Sequence, residues 1–150
     1  MRYATPNEAA HLSDLALRSK AHWGYSREFL NRCINELTYQ SDQIEDARFD
    51  FVVAERNGEI AGFYALEKIS ANAFELEALF VEPEYIGSGV GRRLIQHALS
   101  IVAARSGTVL SIQGDPNAER FYLAAGAKLV GSRESESVPG RFLPLFEITI

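Results

Sequence analysis

Apolar positions along the chain first follow a helical period and then change to the alternation and short continuous runs of strands. Thr5-Pro6-Asn7-Glu8 opens a helix with a threonine cap, a proline in the first turn and a glutamate three beyond the cap, and the spacing carries it to about Lys20. Ser26 opens a second helix, with Tyr25 and Leu30 in hydrophobic-staple positions and Phe29, Leu30, Cys33, Ile34 and Leu37 on one face. Phe51–Ala54 and Ile60–Leu66 read as strands around Asn57-Gly58, the strongest short hairpin signal. Phe74–Val81 follows a turn near Ala71-Asn72 and completes an antiparallel meander. Gly89–Arg105 returns to helical spacing, with Val90, Leu94, Ala98, Ile101 and Val102 on the buried side. Val109–Ile112 is strand-like, and Asp115-Pro116 caps a short helix that Gly126 ends. Lys128–Ser132 and Leu143–Ile150 are two further strands, joined by a loop carrying Pro139-Gly140-Arg141.

With one strand before the first helix, the order is strand, two helices, three strands, helix, strand, helix, two strands. That order predicts an α/β (α+β) chain with a mixed, mostly antiparallel sheet of about seven strands and helices on both faces. Composition adds bounds. A length of 150 residues suits one domain over 1–150, and 47% hydrophobic with 23% charged residues is the balance of a folded chain without long disorder. Cys33 stands alone, so no internal disulfide is expected, and no Cys/His cluster has metal-site spacing. No signal peptide or membrane span is legible, which predicts a soluble, cytoplasmic protein with no membrane partner, as monomer or homodimer. A net charge of −5 without any Lys/Arg run argues against a nucleic-acid partner.

The chemistry concentrates where the strand ending Leu79-Phe80-Val81 passes through Glu82-Pro83-Glu84-Tyr85-Ile86 into Gly87-Ser88-Gly89-Val90-Gly91-Arg92 and a helix. Glycines let the backbone curl around a ligand, and free N–H groups at a positive helix end attract anions. A P-loop would need Lys-Ser/Thr after the last glycine, where Arg92-Arg93 stands. A dinucleotide fingerprint would need a small residue at Arg92 and a preceding parallel unit, whereas this strand follows a hairpin. A tight turn alone accounts for one glycine better than for three in five residues.

These residues resemble the GNAT (Gcn5-related N-acetyltransferase) family. Its signature is a strand ending in valine-x-proline followed by Arg/Gln-x-x-Gly-x-Gly/Ala at a helix start, and it matches Val81-Glu82-Pro83 and Ile86-Gly87-Ser88-Gly89-Val90-Gly91. The second family motif, a capped helix ending in Phe-Tyr-x-x-x-Gly, is similar to Asp115–Gly126 with Phe121-Tyr122. The resemblance implies a GNAT-type fold and acetyl-CoA as co-substrate, without a metal. It implies that Leu79, Phe80 and Val81 run along the pantetheine arm and that Gly87, Ser88, Gly89, Val90, Gly91 and Arg92 hold the pyrophosphate. Asn117 and Phe121 would also contact the cofactor, with Tyr122 beside the thioester sulfur. Two positions depart from the pattern: Ile86 replaces the usual Arg/Gln, and Asp115 stands where asparagine is common.

The implied reaction is acetyl transfer to a primary amine of a small molecule or peptide. An ammonium of pKa about 10.4 must first lose a proton, at a cost of roughly 4–5 kcal/mol at pH 7. Glu75 is the first candidate base and Glu77 the second, with the Leu79 N–H near the carbonyl oxygen and Tyr122 as proton donor to the thiolate. The acceptor would lie between the Lys20–Tyr25 linker, with His22, and the loop near Arg141, against Trp23 and Tyr25 as apolar walls and cation–π faces, with Arg141 available to a carboxylate. Structural readings stand beside these. Trp23 and Tyr25 could plug the gap between helices, Glu75 and Glu77 could occupy a solvated strand face, and Tyr122 could be a core aromatic. Two other functions share the fold: a catalytically idle CoA-binding sensor, and an acyltransferase with a longer acyl donor or a hydroxyl acceptor.

Overall fold

A computed structural model describes residues 1–150. After β1 (Arg2–Tyr3), the Glu8 carboxylate accepts from the Thr5 N–H at 2.8 Å, a 3₁₀ turn over Pro6–Glu8 follows, and α1 runs Ala9–Ala21. The Ser26 hydroxyl accepts from the Phe29 N–H and starts α2 (Arg27–Cys33). A short α3 (Ser41–Glu45), absent from the sequence expectation, comes before the sheet. Five residues give no periodic signal, so the pattern could not reveal it.

The meander is β2 (Phe49–Arg56), β3 (Glu59–Lys68) and β4 (Ala73–Val81). Its first turn has Asn57 at φ 55° and Gly58 at φ 79°, the positive pair that a tight two-residue hairpin demands. Then come α4 (Val90–Ala104), β5 (Val109–Gln113), α5 (Glu119–Ala124), β6 (Lys128–Glu134) and β7 (Phe142–Thr149). The seven strands lie in the order β1-β2-β3-β4-β5-β7-β6, antiparallel except where β4 meets β5. One core packs α4 and α5 on Leu66, Phe74, Leu76, Leu110 and Phe146, and the other packs α1 and α2 on Phe51, Val53, Phe63 and Ala78. No helix is long and apolar enough to cross a membrane.

Two features of β4 position the site. It pairs with β5 only from Ala73↔Val109 to Leu76↔Ile112, and beyond Leu76 the two strands part. At the same place the register against β3 slips, from Leu66↔Leu76 to Ala65↔Ala78, which leaves Glu77 as the unpaired residue of a β-bulge. The bulge breaks the alternation: Phe74 and Leu76 enter the α4 core, whereas Ala78 enters the α1 core. Glu75-Leu76-Glu77-Ala78-Leu79-Phe80 carries the trace of this, since its apolar–polar alternation fails after Glu77.

Candidate active site

The parted strands open a cleft of about 450 Å³. Leu76–Val81 forms one wall; Gln113, Asp115, Ala118, Phe121, Tyr122 and Leu143 form the other; Gly87, Gly89, Gly91 and Arg92 close one end. Ser19, Lys20, Trp23, Glu36, Leu37 and Tyr39 close the opposite end.

At the glycine end, Gly89 is the residue before α4, with φ 93° and no side-chain cap. A left-handed residue here turns the chain sharply, so the first amides of α4 point outward. The N–H groups of Gly87, Gly89, Val90, Gly91 and Arg92 find no backbone or side-chain acceptor in the chain, an array of donors reinforced by the helix dipole. Ser88 does not join it, because its N–H and its hydroxyl both turn back to the Tyr85 carbonyl. A Cβ on Gly91 would meet the Phe121 ring at 3.1 Å, so that glycine serves helix packing as well as the loop. Ile86 lies in the cleft wall and offers no polar contact.

Along the open edge of β4 the N–H of Glu82 bonds to Ala61 of β3, and strand alternation therefore turns the N–H groups of Leu79 and Val81 away from β3 into the splay. Val81 is met there by the Ser19 hydroxyl at 3.4 Å. Opposite, Tyr122 is only 7% exposed, its ring packed edge-on to Phe121 at 5.1 Å and tilted on Phe146 at 5.6 Å. Gly114 makes room for it, since a Cβ there would lie 3.1 Å from the Tyr122 ring. The Tyr122 hydroxyl has no hydrogen-bond partner, yet no buried side-chain polar atom of the chain is left unpartnered, so this oxygen faces the cleft. Burial and then the charge of Asp115 hold its pKa above that of an ordinary phenol, which keeps the proton in place.

Glu67, Glu75 and Glu77 bring carboxylate oxygens within 4.8 Å of one another. Arg133 pairs with Glu75 at 2.7 Å, whereas Glu77 has no cationic partner and is the one of the three that lines the cleft. Glu77 stays exposed to solvent at the cleft mouth; the protein mass crowded around it and then the charges of Glu75 and Glu67 push its carboxyl upward, to about 7. Of the two candidate bases, Glu75 is held in an ion pair outside the cleft lining, and Glu77 faces the cleft without a cationic partner.

The expected acceptor residues divide. Trp23 reaches the cleft, 44% exposed, while His22 stands outside it, edge-on to Trp23 at 5.7 Å. Tyr25 and Arg141 are not free for a ligand. The Tyr25 hydroxyl donates to Asp115 at 2.8 Å and accepts from Arg141 at 2.9 Å and from the Asn117 amide at 3.1 Å. Lys20 reaches Asp115 at 3.3 Å, and the Arg141 guanidinium lies 4.7 Å from the Phe29 ring centre. This knot ties the α1–α2 linker, the start of α5 and the β6–β7 loop together beside the cleft. It also commits the Asn117 amide to Tyr25 and Asp115, so Asn117 lies outside the cleft lining. Burial opposes the Asp115 charge, but the Asn117 N–H, Tyr25 and Lys20 outweigh it and lower the pKa. Glu36, Leu37, Tyr39, Gln113 and Leu143 line the cleft without any motif having marked them.

Comparison with known proteins bears on the family and the fold. Residues 14–127 match the model of the acetyltransferase (GNAT) family. The 5-NmdU N-acetyltransferase of Pseudomonas phage PaMx11 is 31% identical over 98% of this chain and 96% of that protein. The peptidyl-lysine N-acetyltransferase YjaB of Escherichia coli K12 is 37% identical over 49% of this chain and 48% of its own length. Among solved structures, a PaiA N-acetyltransferase from Thermoplasma acidophilum in complex with coenzyme A superposes with TM-score 0.81 at 21% identity, covering 99% of this chain and 97% of that one.

Proposed function

The chain belongs to the GNAT acetyltransferase family and is an acetyl-CoA-dependent N-acetyltransferase, and from that premise we propose how its cleft divides the work of moving an acetyl group to an amine. The observation that carries the proposal is the convergence on one cleft of the free amides at the start of α4, the Tyr122 hydroxyl and the Glu77 carboxyl. Unpartnered donors at a helix start fit a pyrophosphate, and a Cβ at Gly89 would project into the open mouth beside them. The amides of Gly87, Gly89, Val90, Gly91 and Arg92 hold that group, and the edge of β4 from Leu79 to Val81 aligns the extended arm. Acetyl-CoA supplies an activated thioester.

Glu77 takes the proton from the acceptor ammonium, directly or through water. A carboxylate with a pKa near 7 is matched to this task at neutral pH: ionised often enough to act, and more basic than an ordinary glutamate. The Leu79 N–H faces negative charge as it develops on the carbonyl oxygen, and Tyr122 delivers its proton at the sulfur. Trp23 forms the lip over which the acceptor enters. Within the amine class, the phage relative's name places 5-NmdU beside simple amines, polyamines and peptidyl lysine in an acceptor screen read by free thiol.

We expect thiol release from acetyl-CoA that depends on at least one amine. In the same assay Gly89→Val should lose it through cofactor binding. The position lies at φ 93° with nothing within 4 Å of a Cβ, so the substitution strains the backbone by about 1–2 kcal/mol without a clash inside the protein. Calorimetry should show CoA affinity reduced by about tenfold or more, beyond what the stability change explains. Wild-type affinity in the folded variant would remove the phosphate assignment, and no amine-dependent thiol release from any member of the screen would leave the CoA-binding sensor as the better reading.

A further inference from the structure

We propose that the acceptor end of the cleft is built for a dication, with Tyr39 and Glu36 holding a second ammonium while the first is presented to Glu77, so that the substrates are diamines and polyamines. The inference rests on the reading of the cleft given above and deepens it.

Tyr39 is the observation that points to a ligand. It is 8% exposed and lines the cleft, and its hydroxyl has no partner in the chain; with no buried side-chain polar atom left unpartnered, that oxygen faces the cavity. The ring is fixed in place. It stands edge-on to Phe51 at 5.7 Å and to Phe63 at 5.6 Å, and its own N–H donates to the Ser13 hydroxyl at 2.8 Å. A phenol held this rigidly, with an oxygen that nothing in the chain satisfies, is a binding group waiting for a donor. Burial and the charges of Glu36 and Glu77 keep it protonated, so its lone pairs are available to an ammonium.

Charge supplies the class of that donor. Every cation near this end is already engaged: Lys20 and Arg141 with Asp115, Arg133 with Glu75, Arg18 with Glu82. The acids are not balanced in the same way, since Glu36, Glu67 and Glu77 form no ion pair with any Lys or Arg, and Glu36 accepts only from the Ser137 hydroxyl. One ammonium satisfies Glu77. Glu36 and Tyr39 remain for another, and the exposed Trp23 face at the lip suits the methylene chain between them. A polyanionic acceptor would meet repulsion from the same carboxylates.

The test compares straight-chain diamines from diaminopropane to diaminohexane with the monoamine of the same length, in the wild type and in Tyr39→Phe, Glu36→Gln and Glu77→Gln. We expect kcat/KM for at least one diamine to exceed its monoamine by about tenfold or more, chiefly through KM, with the preference weakening as salt rises. Tyr39→Phe and Glu36→Gln should each cut that ratio several-fold, losing more on the diamine than on the monoamine. If no diamine exceeds its monoamine, or if the ratio survives both substitutions, the inference is overturned. Glu77→Gln separates the two levels. Lost turnover there with an unaltered diamine ratio in the other variants sinks only the second-ammonium site, whereas full turnover in Glu77→Gln sinks the reading of the cleft beneath it.

Discussion

Replacing Tyr122 by phenylalanine is expected to lower kcat by about 10²–10⁴-fold while leaving CoA affinity nearly intact. The geometry makes this substitution clean. The ring is wedged between Phe121 and Phe146 over Gly114, and a phenylalanine fills the same space with the same edge contacts. The hydroxyl makes no hydrogen bond within the chain, so its removal orphans no partner and should leave the melting temperature within a degree or two of wild type. What disappears is a proton that burial and Asp115 hold on the oxygen, the one that the proposed mechanism delivers to the leaving sulfur. Steady-state kinetics with single-turnover measurements distinguishes the cases. Wild-type turnover in the variant, with chemistry limiting the rate, would return Tyr122 to a core aromatic.

Tyr122 was legible in the sequence because its motif is local: a capped helix, an aromatic pair and a terminating glycine lie within twelve residues, from Asp115 to Gly126. The same holds for the Asn57-Gly58 hairpin, the Thr5 and Ser26 helix starts and the glycine run before α4, each set by neighbours in the chain. The family's arrangement of seven strands follows once these local elements are in order. Features that depend on distant contacts were not legible. Tyr25 and Arg141 each carry chemistry suited to an acceptor, but 116 residues separate them and only the folded chain shows that they bond each other. Glu75 and Glu77 are equivalent in a strand pattern, and the difference between them is made by Arg133 on β6, three places from β4 in the sheet, beyond β5 and β7. Tyr39 belongs to no periodic segment and becomes a cleft residue because Phe51 and Phe63 seat its ring from the α1 face of the sheet.

Glu77→Gln is expected to reduce kcat/KM by about 10²–10⁴-fold and to abolish an inflection near pH 7. The sign follows from the group's charge states. Below about pH 7 the wild-type carboxyl is protonated and cannot accept the ammonium proton, so kcat/KM should rise with pH and level off once Glu77 is ionised. This value is set by the protein mass crowded around the carboxyl, Glu75 on the same strand, Glu67 on β3, and Glu136 in the β6–β7 loop. Tyr39 and Glu36 face the cleft from the segment after α2, and Arg133 acts through Glu75. Glutamine keeps the size and the cleft-facing position but cannot take a proton, and the variant should retain only the rise at higher pH that comes from deprotonation of the amine itself. Removing Arg133 offers an internal control: Arg133→Gln leaves Glu75 uncompensated, which should raise the Glu77 pKa further and move the inflection upward. An unchanged inflection in Glu77→Gln would assign the titration to another group, and full activity in that variant would show that the acceptor arrives as the free amine.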